Sequence, residues 1–245
     1  MVDARTASEV SIRATMPSTS SFDTAHRRIY HNTLAFVVAT AHADLPFIED
    51  FVETSFPSLL HCPHDERRAL FRTFIGNLRR FEQIHSTVAF IPDGEYKRFS
   101  TLTSFMNTND CTEFFQRSVP SHEPTSDLRR LLDDQPLVCG AEKLVASLRP
   151  DEAEMATMMA LCLLSDSDVD YSDDTMNTCR TLRAAVLHSF GAHCRSRGIP
   201  VAERLGKMMT FLVMLRTSTR YMREYLTILS LFDSNLYVME NIYRL

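Results

Sequence analysis

His61, Cys62, Pro63 and His64 stand together, and His193-Cys194 supplies a second pair of ligand-type side chains far along the chain. Imidazole and thiolate are the ligands of tetrahedral zinc, which holds four of them at defined spacings. Here the spacing matches no finger, and the first cluster reads better as the start of a helix. Cys62 lies next to histidines at that start, the setting in which a thiol can be activated as a nucleophile. A third stretch, SDSDVDYSDD, resembles a calcium loop, but Tyr171 replaces the glycine of its sixth position and Asn177 the closing glutamate. It reads as a solvated connection between helices. No GxSxG elbow, phosphate-cradling glycine loop or HExxH is present. Neither catalytic nor metal-ligating residues are therefore assigned, and no enzyme is expected.

Composition narrows the remaining classes. A chain of 245 residues can bury about 70–75% of its unfolded surface in one core. Six glycines are too few for a turn-rich all-β protein. The net charge of −5 provides no basic footprint for nucleic acid. The nearest cysteines, Cys179 and Cys194, are fifteen residues apart, which argues for free thiols in a reducing compartment. The start, MVDARTASEV, has no apolar signal core, and LAFVVATA and MMALCLL are too short to span a bilayer. No membrane contact is expected.

The elements follow from periodicity. Residues 1–22, rich in Ser, Thr and Ala, read as a flexible leader, and 23–245 as one domain. HRRIYHNTLAFVVATA and LPFIEDFVETSFPSLL are candidate helices. Pro63, Asp65 and Glu66 mark the start of a third, in which Leu70, Phe71, Phe74, Ile75, Leu78 and Phe81 keep a helical stride. TVAFIPDGEYKRFSTL predicts a β-hairpin turning at Pro92-Asp93-Gly94. PDEAEMATMMALCLL and DTMNTCRTLRAAVLHSFGAHCRSRG predict two later helices. In the longest helix Leu205, Met208, Leu212, Leu215, Thr219, Met222, Leu226 and Leu229 alternate steps of three and four. Such a seam serves packing within the chain and a dimer contact equally well. Leu205, Leu212, Leu215, Met222 and Leu226 are its candidate dimer residues. The chain ends in SNLYVMENIYRL, an apolar helix with one acid, Glu240. The reading is all-α with one small hairpin.

FPSLLHCPHDERRALFRTFIGNLRRFEQIHSTVAF resembles the signature region of nuclear hormone receptor ligand-binding domains, in the divergent form of nematode receptors. Pro57, Leu59, Glu66, Ala69, Leu70 and Arg72 carry the resemblance. The hairpin and later helices follow in the family's order over residues 24–245. The resemblance implies a three-layer antiparallel α-helical sandwich around an apolar pocket. It implies a ligand-regulated transcription module in the nucleus. The ligand would be small and apolar, fatty acid- or sterol-like, with no other cofactor. Phe71, Phe74, Leu78, Phe90, Met208 and Leu212 are the expected pocket lining.

The resemblance further implies a groove for a coregulator's Leu-rich helix. Its two ends would be capped by charge, with Glu240 as the final-helix glutamate, Arg72 as a basic groove residue and Thr54 where a lysine is expected. Asn241 occupies an apolar position of the final motif. A homodimer, or a heterodimer with other nuclear receptors, is the further implied partner. Its ligand-independent form, an interaction partner acting without a ligand, is the alternative. No closely spaced cysteines for a zinc-bound DNA-reading module are present, so direct nucleic-acid binding by this chain is not expected.

Overall fold

The computed structural model describes residues 1–16, 21–23, 28–92, 95–109, 114, 135–165 and 170–230. Its elements are α1 (Val2–Thr15), β1 (Ser21–Asp23), β2 (Arg28–His31), α2 (Leu34–Ser55), a 3-10 turn (Pro57–His61), α3 (His64–Phe90), β3 (Lys97–Thr101) and β4 (Ser104–Asn107). These are followed by α4 (Gln135–Leu148), α5 (Glu152–Leu163), α6 (Asp173–Ser196) and α7 (Val201–Ser230). Among the described residues the architecture is the expected helical sandwich, with a small sheet at one side.

Helix α3 is its middle layer. It starts where Pro63 fixes the chain and Asp65 and Glu66 meet the positive end of the helix dipole. From Phe74 to Leu78 five consecutive residues are buried. At 100° per residue they sweep more than a full turn, so the helix is covered on every side there. It packs on α4, α5, α7 and β3. Phe74, Ile75, Leu78, Phe81 and Ile84 join Met158, Leu161, Met208, Phe211, Leu212 and Leu215 in one continuous core. Burying each such side chain contributes about 1.5–3 kcal/mol. Phe81 meets Phe211 edge-on at 5.8 Å between ring centres, and Arg80 donates to Ser218 at 2.7 Å, so α3 and α7 are joined by both apolar and polar contacts.

Two later starts are capped as their sequences require. Asp151 and Glu154 form a reciprocal capping box at α5, and Ser172 accepts from the Thr175 amide at α6. The α6 helix stops at Gly198, whose φ of +67° is the left-handed conformation that glycine adopts without penalty.

Several expectations are corrected. Residues 1–22 are not a loose leader throughout, because α1 fills Val2–Thr15 and buries Arg5 and Glu9. Arg28–His31, expected to be helical, is a strand antiparallel to β1 and parallel to β4. Helix α2 begins after it, with the Thr33 hydroxyl accepting from the Phe36 amide, and runs on through Pro46 as one helix. The hairpin is also displaced. Thr87–Phe90 continues α3, and the two strands are Lys97–Thr101 and Ser104–Asn107, turning at Leu102 and Thr103. The β-prone residues stay helical because Thr87 and Ile84 are buried, a tertiary gain that overrides local preference. The sheet order is β1-β2-β4-β3. Ile29, Phe99 and Phe105 form a second apolar cluster between sheet and helix, with Phe90 and Ile91 packed on it.

Candidate functional site

The residues expected to line an interior pocket fall into three groups. Phe74 and Leu78 on α3 and Met208 and Leu212 on α7 lie in the same core, each at most 1% exposed. Phe71 is half-buried at the edge of that core. Phe90 lies apart, in the second cluster, 5.9 Å from the Phe99 ring. Among the described residues these side chains therefore divide between two apolar clusters, both in contact with α3.

The expected groove residues stand where α2 gives way to α3. The Phe56–Cys62 segment turns the chain through the 3-10 turn, with Leu59 buried and Leu60 42% exposed. Thr54, on the last turn of α2, is exposed. On α3, Arg67 donates to the Leu60 carbonyl at 3.3 Å, Leu70 faces the core, and Phe71 and Arg72 are half-buried at the rim. Burial, then the nearby charge of Arg68, lowers the Arg72 pKa, with Asp65 opposing. A half-buried guanidinium at this rim suits the electronegative end of a helix or a carboxylate. Glu66 does not face this rim. It accepts from the Ser172 amide at 3.1 Å and the Ser172 hydroxyl at 2.9 Å, tying the start of α3 to the start of α6. Glu240 and Asn241 lie outside the described residues.

The first half of the long-helix seam, Leu205 to Leu215, packs within the chain. Leu212, Leu215 and Met208 are at most 1% exposed in the core, and Leu205 is half-buried against it. Met222 is half-buried, and the Leu226 side chain lies outside what is described. The outward face of α7 carries other residues, Met209, Val213 and Tyr221, exposed by 42%, 59% and 51%. A period analysis that follows only the most apolar residues finds the inner seam and passes over this one.

The remaining sequence candidates have structural roles. Cys62 is buried at the end of the 3-10 turn, behind Leu59. His193 instead meets Asp151 at 2.9 Å, and Arg197 pairs with the same carboxylate. Burial would raise the Asp151 pKa, but the Glu154 amide, His193 and Arg197 outweigh it and hold it below the usual range. Glu154, 1% exposed at its side chain, receives both nitrogens of the Arg204 fork at 2.6 Å. Those hydrogen bonds, over the opposing effect of burial, lower its pKa. This network locks α5 to α6 and α7. Among the described residues no three His, Cys, Asp or Glu side chains converge as a metal site. Residues 166–169 of the acidic loop lie outside them.

Sequence reasoning missed the charged contact under α1. Arg5, Glu9, Asp44, Arg79, Glu82, Gln83, Ser100 and Thr101 surround a cleft of about 10 Å3, the size of one water molecule. No local pattern marks it, because Arg5 and Glu9 bond to residues far along the chain.

No helix among the described residues is long and apolar enough to cross a membrane. No curated protein matches the chain. The family model for the ligand-binding domain of nuclear hormone receptors matches residues 32–232, which takes in α2 to α7, with the core and the α2–α3 rim. By its helical sandwich and by this match, the chain belongs to the family of nuclear hormone receptor ligand-binding domains.

Proposed function

We propose that the chain is the regulatory module of a nuclear transcription factor. A small apolar ligand, fatty acid- or sterol-like, binds against α3 inside the sandwich. A coregulator's amphipathic helix binds at the α2–α3 rim, in a groove completed by the C-terminal segment that carries Glu240. The observation that carries this reading is the double use of α3. Its third turn presents Phe71 and Arg72 at the rim, while Phe74 and Leu78, about one and two turns further, are packed in the core. A ligand that displaces interior side chains shifts the same rigid helix that forms the rim. It moves the equilibrium only by its differential affinity for the two arrangements.

The test is fluorescence anisotropy of a labelled Leu-rich amphipathic peptide, with and without oleic acid as the apolar probe. The proteins are the wild-type chain, Arg72→Glu, Glu240→Lys and a chain ended after Ser234. Wild type should bind, and each charge reversal should weaken Kd roughly tenfold, about 1.4 kcal/mol. Equal binding by all four proteins, or none by wild type with oleic acid present, refutes the groove.

A second reading, a ligand-independent dimer partner of other receptors, is favoured by the exposed α7 face with Met209, Val213 and Tyr221. Sedimentation of wild type and Val213→Glu at high micromolar concentration tests it. Association that Val213→Glu abolishes supports it. A monomer that gains no mass on addition of receptor partners removes it.

A further inference from the structure

Helix α1 lies outside the residues that the family model matches, yet it places two charged side chains in the interior. Arg5 and Glu9, four residues apart, share one face of the helix, and each is 1% exposed. Arg5 reaches Glu82 on α3 with two nitrogens, at 2.5 and 2.8 Å, and Asp44 on α2 at 2.9 Å. Asp44 also receives Arg79 at 2.8 Å, so two cations and two carboxylates balance. Burial alone would lower the Arg5 pKa, but Glu82 and then Asp44 more than reverse it, so the guanidinium stays charged.

Glu9 reaches the hairpin instead. Its carboxylate accepts from the backbone amides of Leu102 at 3.0 Å and Thr103 at 2.9 Å, and from the hydroxyls of Thr103 at 2.6 Å and Thr101 at 2.8 Å. These residues are the turn of the β3–β4 hairpin. The hairpin in turn holds Phe99 and Phe105 in the second apolar cluster, against Phe90 at the end of α3. One face of one helix thus joins the α2–α3 pair to the hairpin.

We propose that α1 is a charge-locked clasp that docks and releases as a unit, and that its docking sets the order of the β3–β4 hairpin. A buried ion pair is costly to break from one side, because the partner left behind remains charged without compensation. Loss of Arg5 leaves Glu82 in that state and Asp44 with Arg79 alone, and undocking of α1 admits water to both carboxylates. The same motion withdraws Glu9 from the turn, so the amides of Leu102 and Thr103 lose their acceptor. Docking or release of α1 is thereby passed to the aromatic cluster at the far end of α3.

The test is amide hydrogen exchange on the intact chain, comparing wild type, Arg5→Ala, Glu9→Gln and the double variant. Local opening free energies appear directly as protection. Arg5→Ala should speed exchange at Leu102 and Thr103 roughly tenfold or more, although Arg5 touches neither residue. Adding Glu9→Gln to Arg5→Ala should change that rate less than about twofold, because the clasp is already open. If α1 exchanges fast in Arg5→Ala while Leu102 and Thr103 keep wild-type protection, α1 does not control the hairpin. If the two substitutions multiply, Arg5 and Glu9 act separately and the unit does not exist. Should Arg5→Ala lose its helical circular dichroism, Arg5→Lys, which keeps the charge and loses the fork, is read by the same two amides and the same criteria.

Discussion

Arg204→Ala tests whether the α5–α7 lock stabilises the fold as its geometry implies. The substitution removes both donors that Glu154 receives at 2.6 Å from the Arg204 fork. Breaking a buried pair from one side typically costs about 3–5 kcal/mol. Two local features reduce that figure. Glu154 keeps the Asp151 amide at 3.0 Å, and the Arg204 side chain is 18% exposed, so water can reach the vacated side. About 2–3 kcal/mol remains, a large share of the roughly 5–15 kcal/mol that holds a typical domain folded. For a chain of this size it lowers Tm by roughly 4–12 °C. Urea unfolding followed by far-ultraviolet circular dichroism at pH 7 measures it. Adding Glu154→Gln removes the stranded charge, so the double variant should be no less stable than Arg204→Ala alone. A cost below about 0.5 kcal/mol, or a double variant whose loss equals the sum of the singles, refutes the assignment of Glu154 and Arg204 as a coupled buried pair.

The acid limb of stability should have two parts. Burial lowers the His85 pKa from 6.5, so the unfolded chain takes that proton first and stability begins to fall as pH drops below that value. The depressed Asp151 and Glu154 contribute fully above their ordinary values, 3.8 and 4.5, and their contribution is lost as pH falls through the lower folded values. Urea midpoints from pH 7.5 to 3 should show both parts, and His85→Gln should remove only the first. At Gly140 an added Cβ would come within 2.5 Å of the Met214 methyl, the free end of a flexible side chain. Gly140→Ala should therefore stay within about 1 kcal/mol of wild type, helped by its helix preference, while Gly140→Val, bulkier and stiff, should cost about 1–3 kcal/mol in the same unfolding assay. Burial pushes the Cys162 thiol up to about 12 and raises that of Cys194. Among the five described cysteines, iodoacetamide mapping should find half-buried Cys139 modified first in the native chain, and Cys62, Cys162, Cys179 and Cys194 only after unfolding.

What the sequence made legible was local. Pro63 with Asp65 and Glu66, Asp151 with Glu154, and Gly198 each mark a helix boundary through chemistry confined to a few neighbouring residues. The inner stripe of α7 was readable for the same reason, though its partners are the chain's own α4 and α3. What failed depends on distant partners. Arg28–His31 looks helical in isolation and is a strand held between β1 and β4, the latter more than seventy residues later. Thr87 looks like a strand residue, and its hydroxyl instead donates to the Gln83 carbonyl while accepting from the Phe99 amide. Arg5 and Glu9 sit among serines and threonines that suggest a loose segment, and nothing near them in sequence hints at Asp44 or the hairpin turn. Of the expected groove residues, Arg72 is half-buried on α3 and Thr54 exposed at the end of α2, while Phe71, expected in the pocket, is half-buried at the edge of the core. The exposed side of α7 was not legible, because exposure is a property of the packed chain.

The α1 contacts also set an order of assembly. Asp44 follows Arg5 by 39 positions, Glu82 by 77, and the Thr103 amide follows Glu9 by 94. At ribosomal speeds of about 5–20 residues per second, the turn that receives Glu9 emerges on the order of 5–20 seconds after Glu9 itself. A helix of 14 residues is marginal in water by itself. During synthesis α1 therefore waits as a fluctuating segment with two unpaired charges, and it is fixed only after its partners have emerged. Its charges keep it hydrated through that interval, where an apolar helix of equal length would seek any exposed surface. The features that lock α1 in the finished fold thus also protect the chain while its partners are still being made.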